Sequence, residues 1–290
     1  SDLVEGVRAD GFTHVLLLGM GGSSLAPEVF RLTFGVSAGY LDLAVLDSTD
    51  PGAVLACERR LDLAKTLFIV STKSGGTIET LSAFKYFYNH TAAVVGDNRV
   101  GSHFVAITDP GSGLETLATE LGFRKIFLND PNIGGRFSVM SFFGLVPAAL
   151  VGVEVPALLQ RTVHMAGLCA NAPADLFTNP GASLGAIMGT LALAGRDKVT
   201  LITSPEIASF GAWVEQLVAE STGKEGVGIL PVATEPPGPP AVYANDRLFV
   251  YLRVQGDTTH DSEVHALEQA GLPVIYSLLD DRLDLGGEFF

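Results

Sequence analysis

The sequence predicts an α/β protein of two doubly wound, parallel-sheet lobes linked by helices, the second lobe truncated. Three observations lead there. The strand-like runs are continuously apolar rather than alternating, as in HVLLLGM at 14–20 and TLFIVS at 66–71; a sheet covered by helices on both faces requires that pattern. The runs alternate with helical stretches, as βα layers do. They also fall into two groups, separated by a purely helical stretch from about Phe137 to Ala194.

In chain order, the first group places strands near His14–Met20, Leu43–Ser48, Thr66–Ser71, His103–Asp109 and Lys125–Asn129. Helices follow at Ser24–Leu32, Thr77–Tyr88, Leu114–Leu121 and Phe137–Val151, each opening after a turn or a glycine pair. Pro156–Asn171 and Gly181–Ala194 are the linking helices. The second group has strands near Lys198–Ser204, Arg247–Val254 and Pro273–Leu279, with helices at Phe210–Ser221 and Asp261–Ala270. EPPGPP at 235–240 is a stiff loop, because proline supplies no ladder donor. The expected domains are 1–155 and 156–290. The second group is short of strands for a finished sheet and the chain ends without a polar tail, so a fragment is expected.

Composition narrows the function classes. Of 290 residues, 47% are hydrophobic and 17% charged, enough apolar material for a large core and too little charge for disorder. With 18 Lys+Arg against 32 Asp+Glu, the net charge is −14. Nucleic acid is excluded as a partner, because neutralising phosphates needs a cationic surface. Any anionic substrate must then be held by a local site against the overall field. The longest apolar candidate, Val139–Val153, is interrupted by Ser141, Gly144, Pro147 and Gly152, so no membrane span is expected. Cys57 and Cys169 make no disulfide framework, and no export signal is visible at the N-terminus; a cytoplasmic setting is expected. His, Cys and carboxylate spacings suggest no metal site, and a Gly-x-Ser-x-Gly elbow is absent.

Four motifs carry possible chemistry. In Gly19-Met20-Gly21-Gly22-Ser23-Ser24, a strand turns into a helix through glycines that let backbone N–H groups approach a ligand. It matches neither the dinucleotide fingerprint nor a Walker loop, and the competing reading is a tight turn with Ser23 or Ser24 capping the helix. Ser71–Thr80 (STKSGGTIET) offers hydroxyls at Thr72, Ser74 and Thr77, an ammonium at Lys73 and the N–H groups of a Gly-Gly turn. Such a donor set suits a phosphate monoester; the competing reading is a capping box closed by Glu79. Gly134-Gly135-Arg136-Phe137-Ser138 puts an arginine after a glycine pair, able to stabilise an oxyanion or simply to face solvent.

The fourth motif is Glu215–Lys224 (EQLVAESTGK). Gly223 suits the C′ position, so Glu220 falls in the last helical turn, where the dipole opposes ionisation and favours a general base. Gln216 and Glu220 are four apart and share a face. The plain alternative is an exposed Glu220 paired with Lys224.

These motifs, in this order, resemble the phosphoglucose isomerase family, and in particular the isomerase part of bacterial transaldolase/phosphoglucose isomerase fusions. The resemblance covers nearly the whole chain. It implies two sugar-isomerase (SIS) lobes, with Thr72, Lys73, Ser74 and Thr77 as the phosphate-binding loop and Gly22 and Ser23 lining the sugar. Gly135 and Gln216 then lie close to the substrate, Arg136 stabilises an enediolate, and Glu220 shuttles a proton between C1 and C2. The implied reaction interconverts glucose 6-phosphate and fructose 6-phosphate through a cis-enediol, without metal or organic cofactor. A homodimer and a fused transaldolase domain are compatible partners.

Two departures stand out. The family's Gly-Gln-His segment, whose histidine assists ring opening, is missing; His260 is the first substitute and His265 the second. The chain also stops before the C-terminal helix that supplies a family lysine. The rival reading is a non-catalytic SIS module that binds a sugar phosphate, which would keep both donor-rich turns but have no use for Glu220 and Arg136. Glucosamine phosphate synthesis uses the same lobe pair but usually travels with a glutaminase domain.

Overall fold

Nine parallel strands form among the described residues, 2–170 and 178–290, of a computed structural model. β1 (His14–Gly19), β2 (Asp42–Leu46), β3 (Thr66–Ser71), β4 (Phe104–Thr108) and β5 (Lys125–Leu128) make one sheet in the order β2-β1-β3-β4-β5. β6 (Lys198–Thr203), β7 (Leu230–Val232), β8 (Arg247–Val254) and β9 (Val274–Leu279) make the other, in the order β7-β6-β8-β9. Neighbouring strands pair in parallel throughout, with His14 opposite both Asp42 and Thr66. The chain divides into two compact units, Ser1–Val155 and Pro156–Phe290.

The α/β class and parallel sheets follow the sequence pattern directly. Every residue of β3 and β4 is buried, as continuous apolar runs demand. The helix Ile78–Val95 lays Ala83, Phe84 and Phe87 on one face of the first sheet, where Phe68 and Phe104 stack at 4.8 Å. The helix Gly113–Glu120 adds Leu114 and Ala118 to that core. On the other face, the helix Leu25–Phe34 buries Ala26, Val29 and Phe30 and packs on the helix Phe142–Val151. In the second unit, Val264 and Leu267 of the helix Asp261–Gln269 pack on Ile202, Phe249 and Tyr251.

Several local expectations are corrected. The stretch 137–151 is not one helix: a 3-10 segment, Gly135–Met140, precedes the α-helix. Ser141 is extended between them, its Oγ accepting from the Phe143 N–H at 3.3 Å and donating to the Ser138 carbonyl at 2.6 Å. β7 lies outside the expected strands, because it is three residues long with Pro231 at its centre; an edge position tolerates that. The helix after Thr77 runs on to Val95. The helices Asp2–Ala9, Asp97–Val100 and Leu285–Glu288 are additions to the expected elements. So is Pro51–Arg59, although Pro51 at its first position and the Asp50 Oδ1 accepting from the Ala53 N–H at 2.8 Å are ordinary start signals. The first linking helix is Val155–Ala170, and the expected terminus at Asn171 lies outside the described residues. No helix among the described residues is long and apolar enough to cross a membrane.

A buried histidine gives the first unit an acid-sensitive point. His103 is 3% exposed, lies 4.9 Å from the Phe12 ring, and has Nδ1 3.1 Å from the Thr66 carbonyl oxygen. Burial holds its pKa below the ordinary 6.5. As pH falls below about 6.5, the unfolded chain therefore takes up a proton that the native state refuses, and stability drops until the lowered pKa is passed. His103→Phe keeps a ring against Phe12 and should flatten the acid limb of melting temperature against pH. An unaltered limb would show that His103 does not set it.

Candidate functional site

Strand order positions the candidate site. From β1 the chain winds outward to β2, whereas β3 lies on the opposite side of β1, so the loops leaving the C-terminal ends of β1 and β3 diverge. Ligands of doubly wound sheets bind in the crevice at such a switch point. The two donor-rich turns are those loops. They border a cavity of about 440 Å³ lined by Gly22, Ser23, Thr72, Lys73, Ser74, Thr77 and Gly135, together with Met20, Ser71 and Asp109.

The first turn is not a side-chain cap. Ser24 is 1% exposed and its Oγ donates to the Gly21 carbonyl at 3.0 Å, making no cap bond to the helix Leu25–Phe34. Ser71 Oγ donates to the Ser23 carbonyl at 3.2 Å and ties the two turns together. Gly22 is glycine because of close approach: a Cβ there would lie 2.4 Å from the Gly135 oxygen and 2.5 Å from its carbonyl carbon. The third motif thus rests its backbone on the first.

The second turn has Thr72 Oγ1 and Thr77 Oγ1 2.9 Å apart, and the Gly76 N–H donating to Ser74 Oγ at 3.2 Å. Gly75 has φ +71°, and a Cβ there would lie 2.7 Å from the Leu114 nitrogen, so the position demands glycine on both counts. Thr77 makes no side-chain cap, and no capping-box bond from Glu79 is found among the described residues. The helix Ile78–Val95 therefore presents its first-turn N–H groups and the positive end of its dipole beside the cavity. Lys73 Nζ is paired with the Asp109 carboxylate and donates to the Pro131 carbonyl at 2.8 Å. Arg136 sits in the 3-10 segment with Cζ 4.7 Å from the centre of the Phe137 ring, a cation–π contact.

In the second unit, Gln216 Nε2 donates to Glu220 Oε1 at 2.9 Å on one face of the helix Phe210–Thr222. The Gln216 Oε1 atom is buried and finds no hydrogen-bond partner. Lys224 does not neutralise Glu220: its Nζ donates to the main-chain oxygens of Glu220 at 3.2 Å and Ser221 at 2.6 Å, capping the helix end. Gly223 is not the left-handed residue expected, having φ −72°; it is needed because a Cβ would lie 2.7 Å from the Ala219 oxygen. His260 is on the loop that leaves β8 and immediately precedes the helix Asp261–Gln269. His265 lies on the exposed face of that helix, with Nδ1 3.7 Å from Glu268 Oε2.

The family model described as phosphoglucose isomerase matches residues 3–232. The chain belongs to the phosphoglucose isomerase family. It is 36% identical over 231 residues to a glucose-6-phosphate isomerase from a Cyanothece strain, an alignment covering 77% of this chain and 42% of that protein. The chain spans about half the length of the curated relatives it matches, or less. Among solved structures, a hypothetical protein from Thermus thermophilus matches with TM-score 0.87 and 23% identity, covering 99% of this chain and 80% of that one. A glucose-6-phosphate isomerase from Chlamydia trachomatis matches with TM-score 0.78 and 19% identity, covering 99% and 65%. At those identities the structures establish the shared α/β fold.

Within this family member, the first sheet's cavity unites the two turns and Gly135, and it adds a residue that sequence reasoning misses. In the sequence, Asp109 reads only as the end of a strand. Its signal is a charged residue closing an apolar run at the C-terminal edge of a parallel sheet, where ligands gather. Among the described residues, no three His, Cys, Asp or Glu side chains gather as a metal-ligand set.

Proposed function

We propose that this chain carries the isomerase chemistry of its family, the reversible interconversion of glucose 6-phosphate and fructose 6-phosphate, a glycolytic and gluconeogenic step. The observation that supports this most is the switch-point cavity of the first sheet. Its hydroxyls and helix-end N–H groups form a mainly neutral grip for a phosphate group in a chain of net charge −14. In this reading Glu220 removes a proton from one carbon and returns it to its neighbour through a cis-enediol, with Gln216 orienting its carboxylate. Arg136 takes the charge that develops on oxygen, and His260, or His265 after it, assists ring opening. A positioned base contributes about 10²–10⁴-fold and an oxyanion partner about 10²–10³-fold, and moving a proton between adjacent carbons requires no cofactor.

Residues 1–155 then act as a first SIS domain holding the phosphate-binding loop, and 156–290 as linking helices with a second. A homodimer, a fused transaldolase domain and a cytosolic setting belong to the same reading. A coupled assay for glucose 6-phosphate formed from fructose 6-phosphate tests it, run on this chain and on a protein of its relatives' full length. Binding without turnover in both would favour the non-catalytic sugar-phosphate module instead. Lys73→Ala should raise the Kd for fructose 6-phosphate and lower the melting temperature, because the largely buried Asp109 carboxylate loses its partner. An unchanged Kd would count against the Ser71–Thr77 loop.

A further inference from the structure

The single ammonium of the phosphate loop is already engaged. Lys73 Nζ meets the Asp109 carboxylate and the Pro131 carbonyl. The main chain fastens the same spot, since the Asp109 N–H donates to the Lys73 carbonyl at 3.2 Å and Thr108 Oγ1 donates to it at 3.3 Å. The Asp109 side chain is 14% exposed, and its Oδ1 is buried with no hydrogen-bond partner. Both residues line the cavity. A carboxylate there cancels the charge of the ammonium beside it and repels an anion entering the site.

We infer that Asp109 is a positioning residue that neutralises Lys73, so that the strength of the phosphate grip is set by the Lys73–Asp109 pair rather than by the lysine alone. The inference rests on the sugar-phosphate reading of this cavity. It has a functional logic: a fully charged lysine would bind substrate, transition state and product alike, and such uniform binding slows release without speeding the chemical step. The pair leaves recognition to the hydroxyls and backbone donors and keeps affinity moderate.

A double-mutant cycle on the whole chain tests this, with fructose 6-phosphate and inorganic phosphate as titrated probes. Asp109→Asn frees the ammonium and should tighten both probes about tenfold at low ionic strength, a gain that shrinks as salt is added. Lys73→Met leaves the carboxylate unopposed and should weaken both about tenfold or more. The double variant should return to within roughly threefold of the parent, because removing both charges restores the local balance that the pair keeps. Should Asp109→Asn fail to melt cooperatively, Asp109→Ser, which drops the same charge, is read in its place.

Asp109 variants that bind no tighter than the parent, or a double variant as weak as Lys73→Met, overturn the inference. A parent chain that binds neither probe overturns the sugar-phosphate reading and this inference with it.

Discussion

Glu220→Gln is expected to lower kcat by at least about 10²-fold while leaving KM for fructose 6-phosphate nearly unchanged. The measurement is made in a protein of the relatives' full length that shows turnover. The split follows from the local geometry. The amide oxygen of the new glutamine still accepts from Gln216 Nε2, a bond now 2.9 Å long, so the helix face keeps its arrangement. Lys224 caps the main-chain oxygens of Glu220 and Ser221, contacts that the substitution leaves in place. What disappears is the capacity to take and return a proton. Turnover near that of the parent would remove Glu220 from the mechanism, and a large rise in KM would mean that it binds substrate instead.

Gly22→Ala is the second substitution with a large expected effect, and it acts through packing. Its methyl would sit 2.4 Å from the Gly135 oxygen and 3.0 Å from the Arg136 nitrogen, both backbone atoms unable to swing aside. The turn and the 3-10 segment must separate, which overpacking data put at about 1–3 kcal/mol. A melting temperature lower by several degrees is expected, together with at least about tenfold weaker binding of fructose 6-phosphate. Gly135→Ala is the control, since a Cβ there meets no atom within 4 Å. It should melt like the parent. If Gly22→Ala melts and binds like the parent, the close approach does not organise the site.

The sheets are legible because parallel strands buried on both faces leave an unmistakable trace: eight apolar runs become β1, β2, β3, β4, β5, β6, β8 and β9, with ends shifted by a residue or two. β7 escapes because three edge residues around a proline carry no such trace. Of the candidate site, the donors of the Ser71–Thr77 turn are legible as local chemistry, since a strand followed by hydroxyls, glycines and a helix is one stretch of chain. The Lys73–Asp109 pair is not, because it joins residues 36 positions apart through the adjacency of β3 and β4. The contact of Gly22 with Gly135 is hidden likewise: glycine-rich sequence announces a turn but not what rests on it.

The order of the second sheet repeats that of the first, one strand short. A chain that spells the same winding instruction twice closes a separate core around each copy. Turns rich in hydroxyl and glycine belong to the first copy, and the carboxylate and amide on the helix Phe210–Thr222 to the second. Substitutions in one copy can therefore be made without touching the packed core of the other.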